Sequence, residues 1–173
     1  MRLLLGITGG IAAYKGPELV RALRRRGHSV RCVLTEHARR LVATDALIAV
    51  SGEPVSCELF PGDGTMPHID LARWCEGLLI APATADVLAR LALGLADDLL
   101  TTLHLALEPA KPVWLAPAMN TVMWKKPVVQ GHLKTLTERG THIIAPVSGH
   151  LACGESGLGA MADPESIAGL ISG

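Results

Sequence analysis

Leu3-Leu4-Leu5-Gly6-Ile7-Thr8-Gly9-Gly10-Ile11-Ala12-Ala13-Tyr14-Lys15 decides the fold. Leu3 to Ile7 is apolar without alternation, the pattern of a strand covered on both faces of a parallel sheet. Gly9-Gly10 then makes a tight turn into a helical pattern that extends to Arg26. Gly16-Pro17 interrupts that pattern, so the helix is expected to kink or to start late. Ser29 to Leu34, Gly77 to Ala81, Pro112 to Ala116 and His142 to Ala145 read as further short buried strands. Between them lie helical patterns at roughly 38–51, 71–76, 86–107 with a break at Gly94, and 128–139, with a last short helix from about Pro164. Gly27 and Gly140 close two of these units. Strand and helix alternating from the first residue predicts an α/β chain: a three-layer αβα, Rossmann-like or flavodoxin-like parallel sheet in a single domain, residues 1–173.

The 173 residues are 49% hydrophobic and 18% charged, which excludes a disordered chain and suffices for a real core. Sixteen basic residues balance sixteen acidic ones, so nothing points to nucleic acid or to an anionic membrane surface. The main basic cluster, Arg24-Arg25-Arg26 with Arg21 one turn earlier, reads as a solvated helix end, where cations suit the dipole. No apolar stretch is long enough for a membrane span. The N-terminal run is too short for a signal peptide and leads into a helix, so a cytoplasmic location is expected. Cys32, Cys57, Cys75 and Cys153 have no metal-like spacing; Cys32, inside a strand, reads as a core residue.

Open parallel sheets bind ligands outside the carboxyl ends of their strands, and four loops there carry suitable residues. After the first strand, Gly9, Gly10 and Ile11 let the backbone approach a phosphate, though a tight turn that binds nothing has the same appearance. The spacing is not GxGxxG. After the second come Thr35, Glu36 and His37, where the hydroxyl either caps the next helix or bonds a phosphate. After the third, Ala81-Pro82-Ala83-Thr84-Ala85-Asp86 leaves room for a flat ring, with helix capping by Thr84 as the plainer reading. After the fourth comes Pro117-Ala118-Met119-Asn120-Thr121-Val122-Met123-Trp124, whose asparagine offers both a donor and an acceptor for a small carboxylate.

This last stretch resembles the PxMNxxMW signature of the flavin-dependent cysteine decarboxylases. Gly9 to Lys15 is similar to that family's first flavin mononucleotide (FMN) loop, and His68-Ile69-Asp70-Leu71-Ala72-Arg73-Trp74 to its histidine motif. Ala81 to Asp86, with Leu95 to Thr101, is similar to its second flavin loop and following helix, and Leu151 to Met161 to its substrate clamp. Five motifs in the family's order cover nearly the whole chain. The resemblance implies FMN held by Gly9, Gly10, Ile11, Thr35, His37, Thr84, Ala85, Asp86 and Ala118. It implies substrate binding by Asn120, Met123 and Ala152, His68 as the base of the opening step, and Cys153 as the proton donor of the last. Histidine suits the first role because it titrates near neutral pH.

Within the family, a cysteine in the clamp points to members that act on phosphopantothenoylcysteine in coenzyme A biosynthesis. Those that act on a peptide's C-terminal cysteine stop at the enethiol and need no such donor. A non-catalytic flavin-binding regulatory subunit is the third reading. The resemblance further implies a homotrimer, or a multiple of trimers, with flavin between subunits, and a separate phosphopantothenate–cysteine ligase as a possible partner. Asp86 and Val87 stand where the family usually has asparagine and threonine. A carboxylate there disfavours a phosphate unless it points elsewhere or caps the helix. His150 stands where some relatives carry arginine.

Overall fold

The computed structural model describes residues 1–150, 154 and 156–171. Six strands form one parallel sheet: β1 (Arg2–Ile7), β2 (Ser29–Leu34), β3 (Val55–Ser56), β4 (Gly77–Ala83), β5 (Val113–Pro117) and β6 (His142–Ile143). Their spatial order is β3-β2-β1-β4-β5-β6. The chain winds outward from β1 to β3, returns to β4 beside β1, and winds outward the other way. A doubly wound sheet of this order has its topological switch point between β1 and β4.

Every strand of the sheet's middle sends alternate side chains into two cores. Leu3, Leu5, Ile7, Cys32 and Leu79 pack against α1 (Gly16–Arg25), α2 (Thr44–Ser51) and α8 (Pro164–Leu170). Leu4, Val33, Leu78, Ile80 and Leu115 pack against α3 (Pro67–Trp74), α4 (Ala85–Leu93), α5 (Leu99–Ala106) and α7 (Pro127–Glu138). The expected three-layer α/β architecture is therefore observed, and burial on both faces explains the unbroken apolar runs. Cys32 is a core residue, and burial pushes its thiol up to about 12. No helix among the described residues is long and apolar enough to cross a membrane.

Local chemistry shortened several expected helices. Residues 11–26 divide into a 3-10 turn, Ile11–Lys15, and α1, which starts at Gly16 with Pro17 in its first turn. There the missing proline N–H breaks no helical bond. The 86–107 pattern ends at Gly94, in the left-handed region at φ 73°, and restarts at a capping box. Asp98 Oδ1 accepts the Thr101 N–H at 2.7 Å, and the Thr101 hydroxyl accepts the Asp98 N–H at 3.4 Å. Three elements were not expected from the sequence: the edge strand β3, the one-turn helix α6 (Thr121–Trp124), and an antiparallel hairpin of β7 (Val147–His150) and β8 (Ser156–Ala160).

The hairpin packs directly on the turn after β5. The Met119 N–H donates to the Gly159 carbonyl at 2.9 Å. Gly159 has φ 150°, and a Cβ there would lie 2.1 Å from the Met119 carbonyl oxygen. By contrast, Gly131 in α7 has open space around its missing Cβ. Gly159→Ala should destabilise the fold by about 1–3 kcal/mol in urea melts, as overpacking does. Gly131→Ala should stabilise it by about 0.5–1 kcal/mol. Equal effects from the two would refute this account of hairpin docking.

His104 on α5 has a buried Nδ1 with no partner among the described residues. Burial, and then the Arg139 charge, lower its pKa from the ordinary 6.5. The unfolded chain then binds more protons than the folded one as pH falls through 6.5. His104 should be neutral in its effect above pH 7 and destabilising below 6.5. His104→Gln should flatten that acid slope in urea melts, and an unchanged slope would exclude His104 as its source.

Candidate functional site

A cleft of about 890 Å³ opens at the switch point, over the carboxyl ends of β1, β4 and β5. A volume of this size is that of a cofactor or small-molecule site. One wall is the turn and 3-10 segment after β1, another is Thr84, Ala85 and Asp86, and a third is Ala118, Met119, Asn120 and Met123. Gly159, Ala160 and Met161, from the hairpin and its exit, complete it.

The walls are tied together by short polar links. The Thr8 side chain, 2% exposed, donates to the Pro82 carbonyl at 2.7 Å and accepts the Thr84 N–H at 3.2 Å. That single hydroxyl joins the end of β1 to the loop after β4. Thr84 Oγ1 in turn accepts the Val87 N–H at 3.3 Å as the N-cap of α4. The capping expected of Thr84 is thus made, and its residue lines the cleft as well. The Ala118 N–H donates to the Ala83 carbonyl at 3.2 Å, which holds the β5 turn beside the β4 loop.

Asn120 is the N-cap of α6. Its Oδ1 accepts the Val122 N–H at 2.8 Å, which fixes the rotation of the amide at the cleft wall. Asp86 pairs with Arg90 one turn later, at 2.9 Å. Arg90 also pairs with Asp97, and with Asp98 at 3.9 Å. The Asp86 charge is thereby offset within α4, which removes much of the repulsion that a carboxylate at this place would direct at a phosphate.

Of the residues singled out in the sequence, Gly9, Gly10, Ile11, Thr84, Ala85, Asp86, Ala118, Asn120 and Met123 line the cleft together. Thr35 and His37 stand behind it. A Cβ on Gly9 would meet His37 Cβ at 2.4 Å, and Thr35 Oγ1 is buried with no partner among the described residues. His68, in the first turn of α3, lies outside the cleft, with a buried Nδ1 that also has no partner among the described residues. Ala152 and Cys153 fall outside the described residues. The structure adds Thr8, Tyr14, Lys15, Met119, Gly159 and Met161 to the site. For Thr8 the available signal was a hydroxyl at the end of an apolar strand beside two glycines. Nothing local marked Gly159 above the other glycines of its segment.

Comparison with known proteins agrees with this geometry. The chain is 47% identical over 167 residues to the coenzyme A biosynthesis bifunctional protein CoaBC of Haemophilus influenzae, covering 95% of this chain and 41% of that protein. It is 48% identical over 168 residues to the CoaBC protein of Escherichia coli, covering 96% and 41%. The chain thus spans about two fifths of the length of these relatives. Among solved structures, a mutant PPC decarboxylase complexed with pantothenoylaminoethenethiol superposes with a TM-score of 0.87 at 35% identity, covering 97% of this chain and 94% of that one. The FMN-dependent cysteine decarboxylase SpaF superposes with a TM-score of 0.84 at 35% identity, covering 98% and 94%. The Flavoprotein family matches residues 1–173, so a sheet, a cleft and a set of relatives converge, and the chain belongs to that family.

Proposed function

We propose that the chain catalyses the FMN-dependent decarboxylation of phosphopantothenoylcysteine to phosphopantetheine, a step of coenzyme A biosynthesis. The observation that carries this reading is the cleft itself, which joins the glycine turn, the small-residue loop after β4 and the Asn120–Met123 segment in one cavity. The relatives named for coenzyme A biosynthesis, and the PPC decarboxylase matched over nearly its whole length, support the substrate.

The residues present fit FMN. Gly9 and Gly10 present backbone to the cleft, with no side chain to exclude a ligand. Ala85 and Ala118 leave width for a flat ring, and the Thr35 hydroxyl, buried behind the cleft, has no partner among the described residues, a group of the kind a phosphate oxygen satisfies. Held there, FMN would supply a reversible two-electron acceptor, the chemistry needed to oxidise the substrate's thiol to a thioaldehyde that can take up the electrons of the departing carboxylate, and later to reduce the enethiol.

The chain's own groups position and move protons. Asn120, its amide held by the Val122 N–H, grips the substrate carboxylate through its Nδ2 donor, with Met123 and Ala152 beside it. His68 takes the first proton on an imidazole nitrogen, which in the neutral ring is an acceptor. Since His68 lies outside its own chain's cleft, it serves a cleft formed with a second copy, in the homotrimer or multiple of trimers that the family resemblance implies. Cys153 delivers the last proton to the enethiol. The reading places the reaction in the cytoplasm and requires a phosphopantothenate–cysteine ligase to make the substrate.

The test is an anaerobic incubation of purified protein with phosphopantothenoylcysteine, following flavin absorbance and product mass together. Phosphopantetheine formed without lasting bleaching is the expected result. A flavin-loaded protein that does not react would transfer the assignment to a peptide C-terminal cysteine or to a regulatory role. His68→Asn should abolish carbon dioxide release. Cys153→Ser should still release it but accumulate the enethiol with bleached absorbance; normal turnover by either variant would remove its assigned role. Asn120→Asp should raise KM at least about tenfold, because a carboxylate replaces a charge-assisted donor and repels the substrate's own charge. An unchanged KM would exclude Asn120 as the carboxylate grip.

A further inference from the structure

Thr8 holds the main chain of two cleft loops at once. Its carbonyl accepts the Gly10 N–H at 2.8 Å, its hydroxyl donates to the Pro82 carbonyl at 2.7 Å, and the same side-chain oxygen accepts the Thr84 N–H at 3.2 Å. The residue is 2% exposed and is not among those that line the cleft. All its partners are backbone groups, so Thr8 sets where the chain of each loop runs rather than where a side chain points. A hydroxyl can donate and accept together, which a residue of the same shape without one, such as valine, cannot.

The two loops joined in this way differ in what they offer. The turn at Gly9, Gly10 and Ile11 brings backbone to the cleft, the surface that suits a phosphate. Thr84, Ala85 and Asp86, with Ala118 on the next wall, leave width for a ring. The loops also stand close together: a Cβ on Gly10 would lie 3.3 Å from Thr84 Cγ2 and 3.6 Å from Pro82 Cγ. A ligand that carries a ring and a phosphate on one flexible chain gains from both subsites only when their separation matches its own span, since the second contact is then intramolecular. Thr8 fixes that separation from inside the fold.

We infer that Thr8 is a positioning residue through which the cleft selects a phosphorylated flavin over an unphosphorylated one. It acts through its backbone partners, keeping the subsite for the phosphate in register with the subsite for the ring. This deepens the FMN reading above and rests on it. The plainer role for the same hydroxyl is to satisfy two buried backbone groups at the end of β1, in which case its loss lowers stability without altering the choice of ligand.

The experiment titrates the flavin-free full chain with FMN and with riboflavin, following flavin fluorescence, in the parent and in Thr8→Val, Thr8→Ser and Leu136→Ala. Leu136 is 1% exposed, sits in the core beneath α7 and does not line the cleft, so its truncation is a control for lost stability alone. The parent should bind FMN at least about tenfold more tightly than riboflavin, the range of a charge-assisted contact. Thr8→Val should bring the two affinities within about threefold, by weakening FMN while riboflavin binds as before, because the two subsites no longer act together. Thr8→Ser keeps donor and acceptor and should restore most of the preference, and Leu136→Ala should retain it. If Thr8→Val does not fold, Thr8→Cys takes its place, since a thiol is a weak donor and a weak acceptor, and the same narrowing is expected. A preference that survives loss of the hydroxyl, equal weakening of both flavins, or the same narrowing in Leu136→Ala would overturn the inference. A parent that binds neither flavin brings down the FMN reading and this inference together. A parent that binds both flavins equally leaves that reading standing and sinks the inference alone.

Discussion

One buried hydroxyl holds the site in shape. Thr8 Oγ1 donates to the Pro82 carbonyl and accepts the Thr84 N–H, so it satisfies two backbone groups of the β4 loop from the end of β1. Those are the two strands on either side of the switch point, where the chain's two windings diverge and leave a crevice. Without that link the loops could splay, and two backbone polar groups near the core would lose their partner, which is expensive in a region that water reaches poorly. With it, the glycine turn faces the Thr84–Asp86 wall at a fixed distance. The third wall is set the same way, by the Ala118 N–H on the Ala83 carbonyl.

These links could form only because the sheet leaves polar chemistry nowhere else to go. β1 is buried on both sides, with Leu3, Leu5 and Ile7 in one core and Leu4 in the other. A strand so enclosed has its polar residues pushed to its ends, and the helices that follow each strand carry the chain away from the carboxyl edge. The same enclosure made the fold legible in the sequence, because a strand buried on both faces is written as an uninterrupted apolar run. Four of the six sheet strands were readable on that ground. The two edge strands each have two residues: β6 was found from the apolar Ile143-Ile144-Ala145 that continues it, while β3, Val55–Ser56, has no apolar run around it.

The site was legible where chemistry is local and obscure where it is long-range. Gly9-Gly10, Thr84 and Asn120 each follow a strand directly, and position relative to a strand end is visible in one dimension. The β7–β8 hairpin was not visible, since Gly149, Gly157 and Gly159 break its alternation and Val147 is the one β-branched residue in its two strands. Its reason lies in packing against residues far away in the chain. Gly159 must lack a side chain because the Met119 carbonyl occupies that space, and Gly157 because Thr121 does, with its Oγ1 2.4 Å from where a Cβ would lie. Gly157 and Gly159 are points of close contact that seat the hairpin on the Asn120 turn.

Electrostatics completes the division of labour within the cleft. In the sequence, Asp86 was the residue least compatible with an anionic ligand, because a carboxylate among phosphate-binding groups raises the energy of the bound state. The structure resolves this by placing Arg90 one helical turn on, with a geometry that favours the acid-first i,i+4 pair. The Asp86 charge is thereby partly offset at the cleft wall. The same arginine is shared with Asp97 and Asp98, and Asp98 also caps α5. Arg90 is therefore committed to holding the α4–α5 corner and is not available to a ligand. That commitment leaves Lys15 as the one cation, among the described residues, that lines the cleft without a carboxylate partner.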